Sequence, residues 1–98
     1  MVEYLYNAIR ASAGQENTIN AYITDENENL ITENCYFVLH DGTGTKEIAK
    51  ILGSYDKDLT VWTFVINPEI TTGLRGRYMY CVSHDNSSLC FNQPIYFL

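Results

Sequence analysis

The residues best suited to chemistry stand close together in "GRYMYCVSHDNSSLCFNQP", Gly76 to Pro94, which holds Cys81, His84 and Cys90. Thiolates and imidazoles are zinc ligands, and a thiol beside an imidazole can also become a nucleophile. A structural zinc site needs four ligands converging on one point, usually drawn from paired Cys-x-x-Cys spacings. No such spacing is present. Cys35 lies in a separate segment and has no Cys-x-x-Cys partner either.

The elements that must position these groups argue further against a metal. "SHDNSS" reads as a hairpin whose two-residue turn, Asp85-Asn86, tolerates the positive φ of a type I′ turn. His84 then faces Ser87, Ser83 faces Ser88, Val82 faces Leu89, Cys81 faces Cys90, and Tyr80 faces Phe91. The faces sort cleanly, with Tyr80, Val82, Leu89 and Phe91 on one side and Cys81, Ser83, Ser88 and Cys90 on the other. Because alternate residues of a strand point to opposite sides, His84 falls on the face away from both thiols. No metal ligation is expected. Cys81 and Cys90 are expected to face each other with Cα atoms about 4.5–5.5 Å apart, near the range in which a disulfide closes. Two reduced thiols side by side is the expectation for a cytosol, with a disulfide as the alternative.

Other groupings fail on spacing. "DENENL" offers Asp25, Asn27 and Asn29 like the start of a calcium loop, but Leu30 occupies the sharp-turn Gly position and Tyr36 that of the bidentate Glu. A hairpin turn explains it. "DGTGTK" lacks both the phosphate-loop and the dinucleotide spacing. His40-Asp41 and His84-Asp85 stand at strand ends going into turns, with no serine or cysteine fixed near them by spacing. No catalytic residue and no cofactor is expected.

Composition bounds the rest. The chain has 98 residues, 46% of them hydrophobic and 18% charged, which fits one globular domain spanning residues 1–98. Six basic against twelve acidic residues give a net charge of −6, a field that repels phosphate backbones and anionic lipid. Neither nucleic acid nor membrane is expected as a partner. The N-terminal "MVEYLYNAIRASAGQ" has Glu3 in place of a basic region and polar breaks at Asn7 and Arg10, so it does not read as a signal peptide.

Period two dominates the chain. "NTINAYIT" alternates Ile19, Ala21 and Ile23 against polar positions, "CYFVLH" sets Phe37 and Leu39 together, and "LTVWTFVIN" sets Trp62, Phe64 and Ile66 on one face. Turn clusters separate these runs, so the pattern describes an all-β sandwich or barrel of about seven short strands, of which the antiparallel sandwich is the expectation. Trp62, Phe64, Tyr78, Tyr80, Val82, Leu89 and Phe91 are expected in or bordering its core. Residues 46–53 are read as strand, although Ile48, Ile51 and Leu52 also suit a helix stopped by Gly53. "NPEITTG" predicts a single helical turn, with Asn67 as N-cap and Pro68 at its first position. Eight tyrosines are many for this length, and several fall on the polar phase of their strands. Tyr22 and Tyr36 are the candidate protein contacts, since tyrosine supplies contact area at low entropic cost.

Within "GLRGRYMYCV", Leu74-x-Gly76-x-Tyr78 resembles the tyrosine corner of immunoglobulin-like sandwiches, in which a tyrosine opening the penultimate strand bonds back across the preceding connection. Cys81 follows Tyr78 by three residues, and Cys35 and Trp62 do not keep the antibody order. The likeness is therefore to the wider family and does not imply its core disulfide. A second resemblance covers most of the chain. "EYLYNAIRASAGQ", "ITDENENLIT", Trp62-x-Phe64-x-Ile66-x-Pro68-Glu69 running into "TTGLRGRYMY", and "LCFNQPIYF" together resemble a small immunoglobulin-like protein of tailed phages and prophages of Gram-positive bacteria, of the baseplate and tail-fibre type.

That resemblance implies a non-enzymatic virion module of tail, baseplate or capsid surface, made in the host bacterial cytoplasm. Its partners would be phage structural proteins or copies of itself, in an oligomer or a larger assembly. The alternative is a small, acidic, soluble inhibitor of a host enzyme or defence system that presents a DNA-like charge pattern. Against it, the acids gather in turns (Asp25, Glu26, Glu28; Asp56, Asp58) instead of lining one face.

Overall fold

The computed structural model describes residues 2–5, 8–85, 87–88 and 93–98, with 87–88 described for backbone alone. Among them the chain forms strands β1 (Val2–Leu5), β2 (Ala8–Ala11), β3 (Asn17–Ala21), β4 (Cys35–His40), β5 (Glu47–Leu52), β6 (Ser54–Asp56) and β7 (Val61–Ile66). After a single helical turn α1 (Pro68–Thr71) come β8 (Gly76–His84), β9 (Ser87–Ser88) and β10 (Gln93–Phe97). Ten strands therefore replace the expected seven or so. The surplus arises because the N-terminal stretch divides into a hairpin, β1–β2, and because β6 and β9 are pieces of three and two residues.

The strands make two sheets. The larger runs β1-β2-β10-β8-β4-β5, with β9 added to β8, and the smaller runs β3-β7-β6. Pairing is antiparallel throughout the described strands except between β2 and β10, which run parallel. The alternation read from the sequence sets which side faces in. Ile19 on β3 and Trp62, Phe64 and Ile66 on β7 meet Ile9 on β2, Phe37 and Leu39 on β4, and Ile95 and Phe97 on β10 in one buried cluster. Tyr78, Tyr80 and Val82 border it, as expected; Leu89 and Phe91 lie outside the described residues. Aromatic contacts knit the layers. Phe37 stacks on Tyr80 at 5.0 Å and approaches Phe64 across the sandwich at 6.0 Å.

Residues 47–52 are strand, not helix: alternation puts Ala49 and Ile51 against the core while Lys50 and Leu52 face water. The helical turn also forms, with Pro68 in its first turn, but Asn67 makes no side-chain cap bond. Thr71 fixes it instead. This buried hydroxyl accepts from Gly14 N–H at 3.0 Å and donates to the Gln15 carbonyl at 3.2 Å, tying α1 to the β2–β3 connection. That connection is organised by buried Asn17, whose amide accepts from Ser12 N–H and donates to the Ser12 and Gln15 carbonyls. The "DENENL" turn is closed by Asp25, which accepts from Asn27 and Asn29 N–H while Glu28 takes a positive φ of 63°.

The hairpin register is as expected at its tip and different at its base. Ser83 opposes Ser88 and His84 opposes Ser87. Tyr80, however, opposes Gln93 in place of Phe91, two residues further on. The physical cause lies on the other side of β10, where Ile95 and Phe97 are held parallel to Ile9 and Ala11 of β2 and buried. A shift of two residues keeps the inward and outward faces of the strand unchanged.

Candidate functional site

The residues with chemical potential are dispersed. Cys35 opens β4 and is fully buried on the inner face, opposite His84 of β8. Cys81 is buried on the outer face of the same sheet, opposite Val38. Cys90 and its pairing with Cys81 lie outside the described residues. His40 closes β4 at the far end, against Met79. His84 Nε2 lies 3.5 Å from Asp85 Oδ2. Among the described residues no group of histidine, cysteine and carboxylate side chains could hold a metal ion.

Cys35 and His84 are neighbours that sequence spacing did not pair, and they have the types of a nucleophilic dyad. Their environment works against that role. Burial, and secondarily the negative charge of Asp85, pushes the Cys35 thiol up to about 11. At neutral pH it is an inert, protonated core group. Because the folded chain holds this proton more tightly than an unfolded thiol with its value near 9, Cys35 leaves stability unchanged below about pH 9. Its contribution is lost as pH rises from there through about 11. Native protein at pH 8 should alkylate at Cys35 and Cys81 at least about a hundredfold more slowly than urea-unfolded protein, because reaction waits for opening. Peptide mapping by mass spectrometry reads each cysteine separately; rapid labelling of native Cys35 would expose it as a reactive thiol.

The tyrosines separate into two places. Tyr22 lies just past the end of β3, 66% exposed, on the rim of a cleft of about 430 Å³ between the two sheets. Ile19, Phe37, Phe64, Tyr80 and Val82 contribute to its apolar walls, with Asn20 and Gln93 as polar points. Tyr4 closes one side. Its hydroxyl accepts from Asn20 N–H at 2.9 Å and reaches the Asn20 carbonyl at 3.5 Å, standing where a further strand would meet the β3 edge. The described walls include no carboxylate, imidazole, thiol or amine, so the cleft can bind through area and hydrogen bonds but offers no acid–base pair. Tyr36 is elsewhere. It sits half-buried on the outer face of the large sheet, with Lys50 Nζ 4.6 Å above its ring.

Tyr78, with Leu74 and Gly76, occupies the corner picked out in the sequence. Gly76 opens β8 at a positive φ of 82°, Leu74 packs on the core, and the Tyr78 ring meets Phe97 edge-on at 5.6 Å. Among the described residues no hydrogen bond returns from the Tyr78 hydroxyl to the α1 connection, so the bond that defines a tyrosine corner is missing from this set.

Charge is distributed in a way the sequence did not reveal. The pairing of Ala21 with Trp62 and of Asp56 with Val61 brings the β3–β4 connection and the β6–β7 turn to one end of the sandwich. Asn34 and Asp85, joined through both backbone and side chains, bring the end of β8 there too. This pole holds Asp25, Glu26, Glu28 and Glu33 from the first segment, Asp56 and Asp58 from the second, and Asp85, with Lys57 the one base among them. The other five acids are matched by five bases, so the pole carries the whole net charge of −6. The chain matches no protein-family model, no curated protein and no solved structure at a significant level.

Proposed function

We propose that this chain is an immunoglobulin-like module of a tailed-phage particle, working through protein–protein contacts and not through catalysis. The observation that carries the reading is strand order. A sheet in which β2 runs parallel to β10, followed by β8, β4 and β5, faces a β3-β7-β6 sheet, and α1 makes the connection into β8. This order supports the immunoglobulin-like reading, in the form where the first strand joins the sheet of the last. The sequence resemblance to tail-fibre and baseplate domains covers most of the same chain. The described cleft walls and the buried thiols add binding surface and no exposed nucleophile. No helix among the described residues is long and apolar enough to cross a membrane.

Mass spectrometry of purified virions tests the particle reading directly. The chain should be recovered in stoichiometric proportion to known structural subunits. Its presence in infected or induced cells but absence from particles would overturn the structural role. One observation favours a second reading, a soluble inhibitor of a host protein. The acidic turns that are separate in sequence converge at one pole and concentrate the net charge there, as a mimic of nucleic acid requires. Absence from particles together with retention of a basic host enzyme on the immobilised chain would establish that alternative.

A further inference from the structure

The two sheets end in four strands, and an unpaired strand edge invites another chain unless something blocks it. β1 and β5 close the large sheet, β3 and β6 the small one. Three of these edges carry charge: Glu3 on β1, Glu47 and Lys50 on β5, and Asp56 on β6, all exposed. β6 is also only three residues long. β3 has neither defence. From Asn17 to Thr24 the chain contains no charged residue, no glycine and no proline, and five of these eight residues are β-branched or aromatic. That is the composition of a segment able to pair with copies of itself.

This edge is capped at one point. Asn20 N–H turns away from β7 and donates to the Tyr4 hydroxyl, which itself reaches the Asn20 carbonyl. A neighbouring strand would engage these same two groups, so the hydroxyl holds the place of a strand. Backbone direction alternates along a strand, so the Thr18 N–H and C=O face the same edge as those of Asn20. Among the described residues no strand pairs with them there, and Thr18, Asn20 and Tyr22 are all exposed. Tyr4 is itself 55% exposed, on a four-residue strand that pairs only with β2. One exposed hydroxyl guards the one uncharged edge.

We infer that β3 is the edge by which this chain pairs with the β3 of a second copy, and that the Tyr4 hydroxyl keeps this edge closed in the free subunit. This deepens, and rests on, the protein-contact reading above. A two-fold contact sets the same strand against itself, so its own charges decide whether it is tolerated. Within residues 17–24 no register brings like charges together, which singles this edge out in a chain of net charge −6. When the Tyr4 bond opens, the Thr18 and Asn20 backbone groups exchange hydrogen bonds with their counterparts, and the two small sheets join into one.

Sedimentation velocity over a range of protein concentration tests this on the full chain. Tyr4→Phe removes only the hydroxyl and should tighten self-association at least about tenfold, with a cooperative thermal transition retained. Thr18→Lys puts a charge on the exposed side of β3 and should abolish that association in the Tyr4→Phe background. Alone, it should also abolish the weaker association of the native chain at high concentration. Tyr4→Phe no more associated than the native chain, or equally associated with and without Thr18→Lys, would overturn the edge contact. Should Tyr4→Phe lose its thermal transition, the native chain decides: association that Thr18→Lys abolishes supports the contact, and association it leaves intact, or none, overturns it. A chain recovered from virions whose Tyr4→Phe variant stays monomeric would overturn the contact while leaving the particle reading intact. Association through β3 of a chain absent from particles would support the contact and overturn that reading.

Discussion

Trp62→Ala is expected to cost about 3–5 kcal/mol of folding stability, the range for truncating a large buried aromatic. Trp62 is 3% exposed at the centre of the small sheet. Its ring lies 5.5 Å from Tyr55 and 6.2 Å from Phe64, so removal empties the layer between the sheets. It also holds the distant β3–β4 connection, because its Nε1–H donates to the Ile31 carbonyl at 2.6 Å in a buried site. Trp62→Phe separates the two effects. It keeps most of the ring but leaves the Ile31 carbonyl without its donor, which costs about 1–3 kcal/mol. Urea unfolding followed by circular dichroism measures both, since fluorescence is lost with the tryptophan. A cost below about 1 kcal/mol for the alanine variant would place Trp62 at the surface and undo the packing of β7.

This tryptophan was legible in the sequence because its phase, with Phe64 and Ile66, is a local property of one strand. The same holds for Phe37 and Leu39 in β4, and for the Asp25 turn, where the carboxylate and the amides it binds lie within four residues. What was not legible depends on long-range closure. The acidic turns meet only because β3 and β6 flank β7, and the join of Asn34 to Asp85 spans 51 positions. The shift of Tyr80 from Phe91 to Gln93 is imposed by β2, more than seventy residues earlier in the chain. A hairpin rule acts on its own two strands and has no access to a third. Cys35 and His84 likewise become neighbours through β4–β8 pairing that no spacing encodes.

Gly53→Ala is the second large expected effect, and it tests how closely the sheets approach. Gly53 is the lone residue between β5, in the large sheet, and β6, in the small one. Its N–H donates to the Cys35 carbonyl at 2.9 Å, which anchors the backbone there. A Cβ at this point would stand 2.6 Å from Phe64 Cε1, 2.8 Å from Trp62 Cε3 and 2.9 Å from Phe64 Cδ1. These are ring atoms of buried side chains, and the Trp62 ring is further pinned by its bond to Ile31, so neither can swing clear. Either the rings or the crossing must shift, for about 3 kcal/mol, the upper end of ordinary overpacking costs. Gly73→Ala supplies the contrast. Its Cβ would meet nothing within 4 Å, and the strain comes only from a positive φ of 87°, for about 1–2 kcal/mol. Combining Gly53→Ala with Phe64→Leu should cost less than the sum of the two single changes, because the smaller side chain frees the space the methyl needs. Strict additivity in that cycle, or a Gly53→Ala cost no larger than that of Gly73→Ala, would mean the crossing strand does not rest on the aromatic layer.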